Sequence, residues 1–176
     1  MTVSYRISIF CPDRIGLVSV ITGKLFDLGI NLGDSTFAVL GSGAEITALC
    51  EAPDEVTPEL LKSELQQLQG LEQADISIKS FVLEPVHGPT ANVTHKIMVL
   101  GGDNPGLVAR LSEVFHECQA NIVRFNSEKI PGNSGNQYLI EFFVCIPESI
   151  METCLAIIEN TANSLQMKCD IAPYNS

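Results

Sequence analysis

Apolar and polar residues alternate along residues 3–10, "VSYRISIF", with Tyr5, Ile7 and Ile9 on one face. A period of two predicts a strand buried on one side. The period then changes: Leu17, Ile21, Leu25 and Leu28 recur at helical spacing, and Gly29 stands where a helix end favours a left-handed residue. Residues 31–40 and 44–52 return to the strand pattern, with Gly41-Ser42-Gly43 as the hairpin signal between them. Thr57-Pro58 reads as an N-cap and first-turn proline, opening a helix with Leu61, Leu65 and Leu68 on one face. "ADISIKSFVLE", residues 74–84, closes the series as a strand.

A second series runs in the same order. It comprises a strand at 96–100, a helix carrying Leu107, Leu111, Phe115 and Cys118, and strands at 121–128 and 137–146 with the long loop "KIPGNSGN" (129–136) between them. A capping box of Ser149 and Glu152 predicts a further helix to about residue 164, and a strand at 167–172 finishes. Sliding the chain against itself by 90 residues lays "CPDRIGLV" (11–18) on "GGDNPGLV" (101–108), Ile7 on Ile97, Leu25 on Phe115 and Asn31 on Asn121. A duplicated unit is the simplest account. "PVHGPTANVT" at 85–94 has two prolines, a glycine and no apolar period. The expected organisation is therefore a first domain at 1–85, a linker at 86–94 and a second domain at 95–176.

The order β-α-β-β-α-β, twice, predicts two tandem ferredoxin-like α+β domains, each with its helices on one face of an antiparallel sheet. Strand 137–145, "QYLIEFFVC", is apolar on both faces: Tyr138, Ile140, Phe142 and Val144 on one, Leu139, Phe143 and Cys145 on the other. Helices cover one face, so the other is expected to pack between domains or between chains, and a homo-oligomer is expected.

Composition removes several function classes. At 45% hydrophobic and 18% charged, 176 residues suffice for ordinary cores. No apolar run approaches 18 residues, so no membrane span is expected, and "MTVSYRIS" lacks a signal peptide's apolar stretch. Cysteines 11, 50, 118, 145, 154 and 169 form no C-x-x-C pair, and several fall at apolar-periodic positions. Buried thiols in a reducing, cytoplasmic compartment follow. A net charge of −11 leaves no basic footprint for direct nucleic-acid binding. His87, His95 and His116 have no Cys or carboxylate partners at metal-ligand spacing, and no phosphate-binding or dinucleotide glycine pattern appears. Cys11 is the one nucleophile candidate, and it also reads as a small strand-end residue. No catalytic constellation, metal or cofactor is expected.

The repeated loop is the candidate site. At 13–18 and 103–108 the chain passes from a strand end, through a glycine, into a helix N-terminus, whose free N–H groups favour a carboxylate. Asp13 and Asp103 read equally as ligand contacts or helix N-caps. Gly16 and Gly106 read as turn formers or as openings for close backbone approach. Asn31 and Asn121, which begin the strand after the helix, are expected to return near the loop and present an amide to an amino acid, or to form strand-entry turns.

"CPDRIGLVSVITGKLFDLGIN" and "GGDNPGLVARLSEVFHECQAN" resemble the opening of ACT domains, small-molecule-sensing modules of amino-acid metabolism. The resemblance spans nearly the whole chain as two copies. It implies amino-acid binding at Asp13, Gly16, Leu17 and Asn31, and at Asp103, Gly106, Leu107 and Asn121. The implied activity is non-enzymatic: sensing an amino acid or similar small metabolite and acting through a regulatory protein partner, with transcriptional regulation of amino-acid metabolism as one output. "CPDRIGLV" is also similar to the N-terminal segment of formyltetrahydrofolate deformylases, but here a second ACT-like copy follows instead of a catalytic domain. The alternatives are a constitutive interaction module without ligand and the regulatory part of a deformylase-like system. ACT sites often carry Asn where Asp13 and Asp103 stand, and an acidic residue there favours a ligand's ammonium over its carboxylate.

Overall fold

The N-terminal alternation becomes strand β1 (Thr2–Pro12), which buries Tyr5, Ile7, Ile9 and Cys11 on one face. The computed structural model describes residues 2–84, 86–132 and 135–174. In it the chain divides into two units, Met1–Glu84 and Pro85–Ser176.

In the first unit β1 is followed by α1 (Leu17–Asp27), β2 (Asn31–Leu40), β3 (Gly43–Pro53), α2 (Pro58–Gln66) and β4 (Asp75–Ser80). In the second, β5 (His95–Gly102) is followed by α3 (Leu107–Glu117), β6 (Asn121–Gly132), β7 (Gly135–Cys145), α4 (Met151–Ser164) and β8 (Lys168–Pro173). The sheets have the orders β2-β3-β1-β4 and β6-β7-β5-β8, antiparallel throughout. Each unit is a ferredoxin-like βαββαβ fold, as the periodicities predict.

One apolar layer holds each unit together. In the first, Ile7, Ile9 and Ile76 of the sheet pack with Leu17, Ile21 and Leu25 of α1 and Leu61 and Leu65 of α2. In the second, Ile97, Val99, Ile140 and Phe142 pack with Leu111, Phe115, Cys154 and Ile158. A fully buried Leu or Ile in such a layer contributes about 1.5–3 kcal/mol over an exposed one.

Local signals held unevenly. Thr57 caps α2 as expected, its hydroxyl oxygen accepting from Leu60 N–H at 3.2 Å. The capping box at Ser149 does not form: residues 148–150 make a 3-10 turn, and Ile150 precedes α4 with no side-chain cap. The turn brings the chain into the helix without a free side-chain oxygen at the capping position. The strand expected at 74–84 stops at Ser80, and Val82 and Leu83 beyond it are exposed. The stretch "KIPGNSGN", read as a loop, is mostly strand: β6 continues to Gly132 and β7 starts at Gly135, while residues 133 and 134 lie outside the described residues. Within the segment read as a linker, Thr90 O accepts from the Asn121 amide, and Thr94 bonds to Val144 and Ile146.

On the second face of β7, Phe143 is covered within its own unit, while Leu139 and Cys145 are half-buried. Phe143 is 8% exposed, with the Arg124 guanidinium 3.9 Å from its ring centroid and Tyr174 edge-on at 5.6 Å. The Arg124 guanidinium over the ring is a cation–π contact.

α1 ends at Gly29 (φ +70), with Ile30 N–H donating to Leu25 O. The equivalent end of α3 places Gln119 at φ +52, with Ala120 N–H donating to Phe115 O. A side chain in that region costs about 1–2 kcal/mol. Gln119→Gly should therefore raise stability by about 0.5–1 kcal/mol after the added freedom of the unfolded chain is subtracted. Urea unfolding of the two proteins measures it.

Candidate functional site

Both repeated loops turn on a glycine in the left-handed region: Gly16 at φ +83 and Gly106 at φ +85, each immediately before its helix. A Cβ on either would meet nothing within 4 Å, so glycine is there for the backbone conformation, and the space above the turn is open. Asp13 and Asp103 do not cap the helices, because neither helix has a side-chain cap bond. The N-cap role is thereby excluded for both. Leu17 and Leu107 are 2% and 3% exposed, so their side chains serve the core and their backbones alone border the loop.

The two loops are otherwise unlike. In the second unit the Asp103 carboxylate lies 2.6 Å from Lys129 Nζ, beside a pocket of about 310 Å³ bordered also by Gly106, Leu107 and Tyr138. The hydrogen bond to Asp103 holds the Lys129 ammonium above its ordinary pKa. The Tyr138 hydroxyl donates to Ser127 Oγ at 2.9 Å. Register places Val39 and Ala44 of the first unit as a pair in the way that Lys129 and Tyr138 pair in the second. The first loop therefore lacks both the cation and the phenol at those places. Arg14, within that loop, instead donates to Gln69 O and packs against Gly70, and its buried Nε has no partner among the described residues.

Asn31 and Asn121 lie at the far end of their sheets from these loops. Asn31 is in the row of Glu51 and Ser4, whereas the loop leaves from the row of Pro12, Gly43 and Leu40. At about 3.3 Å per residue these rows are about 25 Å apart. Asn121 pairs with Cys145 near the start of β5, while the second loop leaves after Gly102 at its end. The expectation that each Asn returns to the loop fails for a geometric reason: a helix that leaves the top of one strand delivers the chain to the bottom of the next. The Asn121 amide instead donates to Thr90 O at 2.9 Å. Lys129 and Tyr138, which do border the second loop, were hidden in or beside the segment read as a loop.

Cys11 is 3% exposed, and burial raises its pKa more than nearby Arg14 lowers it. Burial also lowers the pKa of His95. Among the described residues no cluster of three His, Cys, Asp or Glu could hold a metal ion. Among the same residues no helix is long and apolar enough to cross a membrane.

Solved structures similar over the whole chain include two that superpose well. An unknown protein from Galdieria sulphuraria superposes with TM-score 0.76 at 21% identity, covering 99% of this chain and 100% of its own. A candidate glycine cleavage system transcriptional repressor superposes with TM-score 0.65 at 16% identity, covering 100% and 99%. The fold is a tandem pair of ACT-like domains. No protein-family model and no curated protein matches the sequence. In the tandem ACT-like fold the strand-to-helix loop stands twice at equivalent sheet ends, and Lys129 of β6 pairs with the aspartate of the second.

Burial pushes the thiol of Cys50 up to about 11 and that of Cys154 up to about 12, from an ordinary value of 9.0. Between pH 9 and 11 the unfolded chain has lost these protons and the folded chain keeps them, so stability falls as pH rises through that window and is untouched below it. Chemical denaturation at pH 8, 9.5 and 10.5 should show this fall. Burial raises Cys169 to about 11 as well, so a Cys50→Ala, Cys154→Ala, Cys169→Ala variant should lose most of the difference.

Proposed function

We propose that this protein is a non-enzymatic, ligand-sensing regulator whose second unit binds a free amino acid or similar small zwitterion at the loop 103–109. The ion pair of Asp103 and Lys129 beside the α3 N-terminus carries this reading. A zwitterion can replace both partners at once: its carboxylate meets Lys129 and the first-turn N–H groups, and its ammonium meets Asp103. An acidic residue where ACT sites often carry Asn then becomes serviceable, because Lys129 offsets it.

Reduced, buried cysteines suit a cytoplasmic setting, and the net charge of −11 disfavours a direct hold on DNA. Output through contact with a regulatory protein fits both. Regulation of transcription is suggested by the whole-chain likeness to a candidate repressor. A homo-oligomer is compatible with this reading, although Phe143 does not demand one.

Calorimetry with the twenty amino acids tests the reading. A ligand this small should bind with about −5 to −7 kcal/mol, or tens to hundreds of micromolar. Lys129→Ala should weaken binding about fivefold, a modest factor because water screens the lysine. Asn121→Ala should leave affinity unchanged, since that amide lies at the other end of the sheet. If no amino acid binds at millimolar concentration, the ligand-free interaction module is the correct description.

A further inference from the structure

The apolar layers of the two units are filled differently, and the difference leaves a cleft. In the second unit Phe142 is fully buried, edge-on to Phe115 with centroids 5.1 Å apart and stacked on Phe125 at 5.9 Å. Register identifies the counterparts in the first unit. Ile7 faces Ala48 as Ile97 faces Phe142, and Ser35 faces Ala48 as Phe125 faces Phe142. Both edge strands carry an irregularity just before this point, between Leu32 and Ser35 and between Ile122 and Arg124, so the correspondence survives it. Leu25 takes the place of Phe115 by the 90-residue offset. Three rings become Leu, Ala and Ser.

The missing volume is open. A cleft of about 140 Å³ lies there, bordered by Ile7, Ile21, Leu25, Ile46 and Ala48, with Val18 and Phe37 partly exposed beside it. Two nearby hydroxyls are already engaged with backbone: Thr22 Oγ1 donates to Val18 O at 2.9 Å, and Ser35 Oγ to Gly33 O at 3.0 Å. Among the described residues no charged side chain borders the cleft. An apolar cavity of about 150 Å³ stays dry and accepts a benzene ring.

We infer that the first unit binds a neutral, monocyclic aromatic compound in this cleft, which occupies the space that Phe142 and Phe125 fill in the second. The ring is the occupant because this chain fills the same place with rings when it fills it itself. Charge is excluded, since a carboxylate or ammonium in the cleft would exchange water for alkyl walls. The site is separate from the loop 103–109, and neither depends on the other.

Toluene is the probe. Saturable binding to the folded wild type is expected, with nuclear Overhauser contacts from toluene to the methyl groups of Ile7, Leu25 and Ile46. Ala48→Phe and Ser35→Phe, which restore the second unit's residues, should each lower toluene affinity about tenfold or more by occupying the space. Benzoate should bind the wild type about tenfold or more weakly than toluene. Absence of saturable toluene binding, contacts that map elsewhere, equal affinity for benzoate, or unchanged affinity in both folded variants would each overturn the inference. If neither variant folds, the contacts in the wild type decide. Amino-acid calorimetry on Lys129→Ala reads the other site, so failure of one reading is distinguishable from failure of the other.

Discussion

Two helices cover one face of a four-stranded sheet, and each unit must gain its stability from the single apolar layer between them. That constraint sets more than the core. To cover the sheet, the helix after β1 must run back across it, so its N-terminus stands at one sheet end and its C-terminus at the other. Gly16 and Gly106 supply the left-handed turn that starts this return, and Leu17 and Leu107 enter the layer at once. The polar loop at the helix N-terminus is thus confined to one end of each sheet. The space within the layer must be filled from side chains alone, and here the two units part company.

Much of this was legible as periodicity. Alternation at 3–10 and helical spacing at 17–28 each report a buried face, and the constant offset between copies exposes a duplicated fold. What escaped was whatever depended on pairing between distant segments. The β6–β7 hairpin was read as a loop because Gly, Asn and Pro dominate "KIPGNSGN", yet strand partners extend it and so place Lys129 beside Asp103. Asn31 and Asn121 were misplaced because nearness in sequence to a helix end says which end of the sheet only after the helix direction is followed. The capping box at Ser149 matched a local pattern that the 3-10 turn overrode.

Duplication makes the chain its own control. The same frame carries Ala48 in one layer and Phe142 in the other, and Val39 at one loop and Lys129 at the other. The unit with the filled layer has a lysine beside its loop, and the unit with the open layer has a valine at that place. Loss of one capacity in a copy does not require loss of the fold, because the glycine turn and the strand register are retained in both.

The outer face of β7 shows how the fold handles apolar surface that the helices cannot reach. Phe143 stands between Lys96 on β5 and Arg124 on β6, whose register brings both cations to its flanks. Lys96 Nζ is also 2.6 Å from Glu141, two residues along the same strand, so that cation is held by charge on one side and lies 5.5 Å from the ring centroid on the other. Long basic side chains cover a ring with their alkyl stems while their heads stay hydrated. A hydrophobic pattern on both faces of a strand therefore need not signal a partner. Where the neighbouring strands supply arginine and lysine in register, the sheet covers its own aromatic residue, and two cations stand at that point of an otherwise acidic chain.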